Sequence, residues 1–379
     1  MPIRDRYCIA GVGNTRYGKL AGRTAESLTV EAIKHAIEDC GIAKSEIDAV
    51  LTKAPTSNFQ MLFSARICQD LGIVPAVTAT LDAAGASTAA LIQYAAMCIE
   101  EGLCHAAVVS YGDNPITGSR ETYARARADD DAAYGMFGAP PNYAMIARRY
   151  MYEFGLSDRQ LGLAPISDRA WAAMNDNAVF RTPITHEDRE NSRYVVEPFH
   201  LLDCCPITDG AAAAVVVSAE RARDLKQPPV YLRGFGQGHP AWGLPTREQW
   251  TTSGAKRSGE TAYRIAGLGP QDMDVLELYD PFSIVPIISV EDYGFCKKGE
   301  GGAFLEDGKT RPGGSLPLNT SGGLLSETGM PGMQLIVEAV RQLRGACGQR
   351  QVANARTALV SNQGGVMTTH ATLILRNDR

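Results

Sequence analysis

No stretch of this chain approaches the ~20 consecutive apolar residues of a membrane-spanning helix; the greasiest segment, GAAAAVVVS (210–218), has the length of a buried strand. The apolar run within MPIRDRYCIAGVG is too short for a signal peptide and reads on as a strand. Positive charge is not in excess. With 37 Lys and Arg against 42 Asp and Glu, the formal net charge of −5 argues against nucleic acid or an anionic membrane as the main partner. No C-x-x-C pair occurs, and the nine cysteines are scattered through apolar runs. Neither a disulfide scaffold nor a metal site is expected, and a reducing cytoplasm is the expected compartment. Adjacent Cys204 and Cys205 project in different directions and read as packing. Two strand-borne G-x-G words, Gly11/Gly13 and Gly234/Gly236, lack the third glycine of a dinucleotide fingerprint, which excludes that class and leaves them as strand-to-loop turns.

What is present is an α/β chain that repeats itself. Its 379 residues, 45% hydrophobic and 21% charged, suit a globular protein of two packed halves. One half opens with YCIAGVGNTRYG and reaches CGIAKSEIDAVLT; the other opens with VYLRGFGQGHPAWG and reaches AGLGPQDMDVLELYD. Gly41, Ile47 and Asp48 match Gly267, Met273 and Asp274 at a constant spacing of 226 residues, so one helix–glycine–acid–strand module is used twice. HAAVVSYGD (105–113) follows a helix expected over 86–101, and ARTALVSNQGG (355–365) follows one expected over 331–345. The expected division is 1–225 and 226–379. Residues 114–200, rich in Arg, Asp, Met and Tyr with a helix around 142–154, read as an insertion placed as a lid over the first half's strand ends.

The stretch TLDAAGASTAALIQYAAMCIEEG (80–102) runs a strand end into a helix through very small residues, which lets a ligand approach the helix's free N–H groups. Together with DCCPITDGAAAAVVVS, LELYDPF, NTSGGLLSETGMPG and SNQGGVMTTHATLIL, it makes the chain resemble the thiolase superfamily, and within it the sterol-carrier and lipid-transfer thiolase-like branch. The resemblance spans essentially the whole chain. It implies a duplicated, five-layered α-β-α-β-α thiolase fold with a loop-domain insertion in the first half. It also implies an acyl-CoA ligand, no tightly bound cofactor beyond the substrate's own CoA, a homodimer, and pairing with a small zinc/OB-fold protein.

Thiolases use a nucleophilic Cys at the helix start, a His in a G-H-P word and a second Cys before a C-terminal glycine run. A thiolate at a helix N-terminus is stabilised by the dipole and attacks the acyl carbonyl. In this chain the nucleophile slot falls on Gly85, the histidine slot on Met330 and the second cysteine slot on Ser361. All three catalytic side chains are missing, while the helix start remains. The backbone N–H groups of Gly85, Ala86, Gly364 and Gly365 form the expected oxyanion hole. A hole without a nucleophile suits an enolate, whose charge lands on the thioester oxygen with no acylation of the protein.

The resemblance therefore points to aldol-type cleavage of a β-hydroxyacyl-CoA, like the members of this branch that lack the cysteine and shorten steroid side chains. Tyr279, where thiolases carry the Asn of an N-E-A-F word, is the expected proton-handling group, with Asp280 orienting it and His370 as a second donor. Glu327 is an alternative base. A phenol with a pKa near ~10 needs a cationic or hydrogen-bonding neighbour to act as base. Arg120, Arg148 and Arg149 are candidate partners for the CoA phosphates. Turnover is expected to survive Gly85→Ala and to vanish in Tyr279→Phe. Two other readings stay open: a non-catalytic acyl-CoA or lipid binder, and acetyl-CoA acyltransferase-type transfer through Ser87 or a rearranged cysteine.

Overall fold

The computed structural model describes residues 4–119, 133–136, 138–241 and 243–378. The first half runs β1 (Tyr7–Asn14), α1 (Ala25–Cys40), β2 (Ala49–Thr52), α2 (Phe63–Leu71), β3 (Val77–Thr80), α3 (Ser87–Glu100) and β4 (Ala106–Asp113). An inserted segment follows, with α4 (Pro140–Phe154), α5 (Leu163–Ala172) and the small hairpin β5 (Tyr194–Val196) and β6 (Phe199–His200). β7 (Gly210–Ser218) closes the first half. The second runs β8 (Val230–Gly238), α6 (Ala255–Ala266), β9 (Val275–Leu278), α7 (Ile284–Asp292), α8 (Met333–Leu343), β10 (Thr357–Gly364) and β11 (Thr369–Arg376).

The strands lie in the order β3-β2-β4-β7-β1-β8-β11-β10-β9. β1 and β8 meet over only two residue pairs, Cys8–Tyr231 and Ile9–Val230, so the array is two sheets joined at a narrow seam. The halves correspond strand for strand, β2-β4-β7-β1 to β9-β10-β11-β8, with the same parallel and antiparallel pairings. Where the first half adds β3, the second has one parallel bridge between Leu276 and Leu318. Buried side chains separate the layers. Helices α1 and α2 cover the outer face of the first sheet. α3 and α8 lie between the two sheets, and α6 and α7 cover the outer face of the second. This is the five-layered α-β-α-β-α arrangement.

The sequence repeat has a physical meaning. Gly41 and Gly267 end α1 and α6 in the left-handed conformation, with φ of 70° and 67°, which a side chain would resist. Asp48 accepts the N–H groups of His105 and Ala106, and Asp274 those of Arg356 and Thr357, at 2.9–3.0 Å. Each aspartate thus ties the start of one parallel strand to its neighbour. The G-x-G words are not turns, as the sequence suggested; they sit inside β1 and β8. A Cβ on Gly11 would stand 2.2 Å from Ala36 O, and one on Gly236 2.1 Å from Ser258 O, so these glycines let a helix lie directly on a strand.

Helix α4 of the insertion rests on the second half, while Asn177 Nδ2 donates to Thr15 O, just past the end of β1, at 3.0 Å. Tyr143, Ile146, Ala147 and Tyr150, at i, i+3, i+4 and i+7 along α4, pack with Phe282, Val285 and Ile288 in the second half's outer core. An apolar helical stripe goes where it can be covered. Among the described residues no helix is long and apolar enough to cross a membrane.

Candidate functional site

The turn before α3 is tight and strained. Ala84 holds φ at 49°, a left-handed conformation that costs a residue with a Cβ about 1–2 kcal/mol. Ser87 anchors it: its Oγ accepts the Ala83 N–H at 2.8 Å and donates to Ala84 O at 2.7 Å, and the side chain is fully buried. A hydroxyl so engaged is a turn anchor, which removes Ser87 as a nucleophile. The Ala86 N–H reaches Ala83 O at 3.1 Å, so it closes the turn, a correction to the hole expected from the sequence.

The turn sits on the end of β10. A Cβ on Gly364 would stand 2.3 Å from Ala83 O and 2.7 Å from Ala84 Cβ. One on Gly85 would stand 2.2 Å from Gln363 O and 2.5 Å from the Tyr279 hydroxyl. The phenol therefore occupies the space where a nucleophile's side chain would begin. Tyr279 is half-buried at the end of β9, with its N–H on Ser361 O at 2.9 Å. Because the contact of Gln363 with Gly85 is through backbone, Gly85→Ala cannot be the silent change that the sequence suggested.

Gly365 takes φ of 62°, and Thr368 N–H closes the turn after it on Gly364 O at 3.2 Å. Tyr143 of α4 donates to Gly365 O at 3.0 Å and accepts from Gln363 Nε2 at 2.6 Å. Burial raises its pKa, so it stays a neutral phenol. The buried Arg247 guanidinium donates to Val366 O at 2.8 Å and Met367 O at 3.3 Å. Neither Tyr143 nor Arg247 was singled out by sequence. Their only signals are a core stripe and a lone cation, which many residues share.

Asp280 was expected to orient Tyr279 directly. Its carboxylate instead accepts the N–H groups of Leu324 at 2.7 Å and Leu325 at 3.1 Å, within a single π turn, Gly323–Glu327. Burial, partly offset by these bonds, pushes Asp280 up to about 7. Glu327, in the same turn, is also pushed up to about 7, by burial and then by Glu338. It accepts from Asn175 Nδ2 at 3.2 Å.

The degenerate slots separate. Met330 is 1% exposed and packs in the core between the sheets, where a thioether moves no proton. Ser361 faces the outer layer and accepts the Tyr293 hydroxyl at 2.7 Å. By strand alternation its neighbour faces α3: Asn362 Nδ2 donates to Thr88 Oγ1 at 2.8 Å. The second-cysteine position on the site's side is thus Asn362, one residue from the slot assigned by sequence. His370 lies on the outer face with Thr372, its Nδ1 only 3.0 Å from where a Cβ on Gly254 would stand. Burial, then Arg247, drives its pKa to about 3, so at neutral pH it is a neutral imidazole with no imidazolium proton to give. Cys205 borders both cores, and burial with Asp280 pushes its thiol up to about 12; it is no thiolate. Arg148 pairs with Glu197 and Arg149 with Glu153, all at or near the surface. Arg120 lies outside the described residues.

Residues 8–220 match the family model "Thiolase, N-terminal domain", and residues 236–377 match "Thiolase C-terminal domain-like". The chain belongs to the thiolase superfamily. This thiolase homologue is 36% identical to a steroid side-chain-cleaving aldolase of Thermomonospora curvata, over 98% of each chain. It is 35% identical to an acetyl-CoA acetyltransferase of Methanothermobacter thermautotrophicus, over 97% of this chain and 98% of that one. The solved structure of an "Ltp2-ChsH2(DUF35) aldolase" superposes on all of both chains with a TM-score of 0.91 at 36% identity.

Proposed function

We propose that this thiolase homologue is a C–C lyase that cleaves a β-hydroxyacyl-CoA by a retro-aldol route. The observation that carries the reading is the Tyr279 hydroxyl standing at the Cβ position of Gly85. Tyr279, acting as the phenolate, takes the proton of the substrate's β-hydroxyl as the Cα–Cβ bond breaks. The β-carbon leaves as a ketone or aldehyde, and the electron pair passes to the thioester as an enolate. N–H groups at the Gly85 and Gly364–Gly365 backbone steady that oxygen. Returning the same proton to Cα gives a shortened acyl-CoA, so the reaction balances without a cofactor. Likeness to the T. curvata enzyme supports a steroid-like or similarly bulky substrate.

The likeness to an acetyl-CoA acetyltransferase favours acyl transfer as a second reading. Against it stand a glycine at the nucleophile slot, a thioether at the histidine slot and a tethered Ser87.

A small partner protein is part of the proposal, supported by the likeness to an aldolase solved as an Ltp2-ChsH2(DUF35) pair. So is a homodimer: β3 is the last strand of the array, one of its sides is unpaired among the described residues, and Val74 beside it is 96% exposed. The cytoplasm is the proposed compartment.

The test incubates purified protein, with and without the partner, with a panel of β-hydroxyacyl-CoAs. Release of a carbonyl compound with a shortened acyl-CoA is expected, falling about 10²- to 10⁴-fold in Tyr279→Phe. Saturable binding with no product would leave a carrier, and an acylated residue would restore transfer.

A further inference from the structure

Asp168, in α5 of the insertion, is fully buried, and neither of its carboxyl oxygens meets a donor N–H or O–H. The group against it is Asp280. A buried carboxylate without donors is untenable, and two facing carboxyls cannot both ionise. The pair therefore keeps a proton on Asp168, which that acid donates to Asp280. Asp280 in turn holds Leu324 and Leu325, and it follows Tyr279 in the chain.

We propose that Asp168 is a positioning residue for Tyr279: its O–H···O bond to Asp280 locks the end of β9 to the π turn and so sets the phenol against Gly85. The inference rests on the role given above to Tyr279.

The same stretch of insertion grips the turn at other points. Arg169 Nε donates to Ser326 Oγ at 3.0 Å, and Asn175 Nδ2 donates to Ser321 O at 2.9 Å. Val179 and Phe180 donate their N–H groups to Glu327 O and Ser326 O, both at 3.0 Å. A Cβ on Gly322 would come within 2.6 Å of Ala172 Cβ. On the other side Cys205 N–H meets Pro281 O at 3.0 Å. Residues 279–281 are thus held by backbone on the β10 and Cys205 sides, and by the side chain of Asp280 on the insertion side.

The charged and titratable groups facing the pair are Glu277, Arg169 and Cys205. Glu277 is itself driven toward the neutral acid by burial and then Glu338. Arg169 favours the ionised form of Asp168 but is outweighed by burial and Asp280. Cys205 stays a thiol. With Asp280 pushed up to about 7 and Asp168 well above its ordinary value, the pair holds one proton above neutrality. Below about 7 Asp280 gains the second, and its charge-assisted bonds to Leu324 and Leu325 weaken. An acid limb in kcat follows.

Asp168→Asn keeps a donor of the same shape; Asp168→Val removes it. The Asn variant is expected to hold kcat within about threefold. The Val variant is expected to lose about tenfold or more in kcat with KM little moved, and its acid limb to shift upward. Infrared difference spectra of isotope-labelled aspartate give a readout free of catalysis: a protonated carboxyl persists at about pH 8 in the wild type and is lost in Asp168→Asn, whose amide still donates to an ionised Asp280. Wild-type kcat and pH profile in Asp168→Val would overturn the proposal, as would the absence of that band in the wild type. If Asp168→Val does not fold, Asp168→Asn decides, since collapse of its kcat at an unchanged melting temperature also overturns it. A wild type that shows the band but releases no carbonyl from any substrate would instead sink the lyase reading.

Discussion

The Tyr279 hydroxyl and a Cβ on Gly85 would be 2.5 Å apart, so the two residues form one unit. A phenol at this place requires glycine at the helix start, and a side chain at the helix start would require the phenol to leave. Attack by sulfur and proton transfer by phenol are mutually exclusive here.

Gly85→Ala and Gly85→Cys should each lower the rate of carbonyl release by about a hundredfold or more, by displacing Tyr279 and pressing on Gln363 O. Because that oxygen is backbone, adding Tyr279→Asn to Gly85→Cys does not free the space. Intact-protein mass spectrometry after exposure to acyl-CoA should find no acyl adduct in either. An adduct at residue 85 would show that the turn yields more easily than its contacts imply.

His370→Gln should leave the neutral-pH rate unchanged and alter acid stability. The folded imidazole has its pKa lowered to about 3, against an ordinary value of 6.5, so the unfolded chain takes up a proton that the folded chain refuses. Stability from the neutral imidazole is complete above about 6.5 and is lost as pH falls toward about 3. Urea unfolding across that window should show less acid loss in the variant than in the wild type.

Glu327→Gln works in the opposite direction. Glu327 rises from 4.5 to about 7 on folding, so its contribution is fully present below about 4.5 and is lost as pH rises through 7. The variant should gain stability over the wild type across that interval, by on the order of 3 kcal/mol at the top of it. Equal pH dependence in the two proteins would mean that the carboxyl is ionised and well solvated.

Thr78→Lys with Thr80→Lys, at exposed positions of β3, should turn a dimer into a monomer in light scattering. An unchanged mass would move the subunit contact away from this edge.

Much of the fold could be read from the sequence because duplication leaves paired marks. Gly41 with Gly267, and Asp48 with Asp274, are local requirements of helix ends and strand starts, and each repeats at a fixed distance. Tyr279 could be found for a related reason, since it fills a known slot in a recognisable word. Asp168, Tyr143 and Arg247 could not. They reach the site from the insertion and from the loop after β8, and their roles depend on a tertiary approach that no local spacing encodes. His370 misled for the same reason: proximity along β11 says nothing about which face of the sheet a side chain takes. The same alternation separates Ser361 from Asn362.

The two sheets touch edge to edge at just two residue pairs, yet α3 and α8 lie buried between them. Neither repeat can hide its greasy inner surface by itself. A single repeat would need a twin to cover that surface, and carrying both on one polypeptide makes a concentration-dependent encounter a guaranteed one. With both copies on one polypeptide the two need not be alike, and one of them carries an insertion that the other lacks.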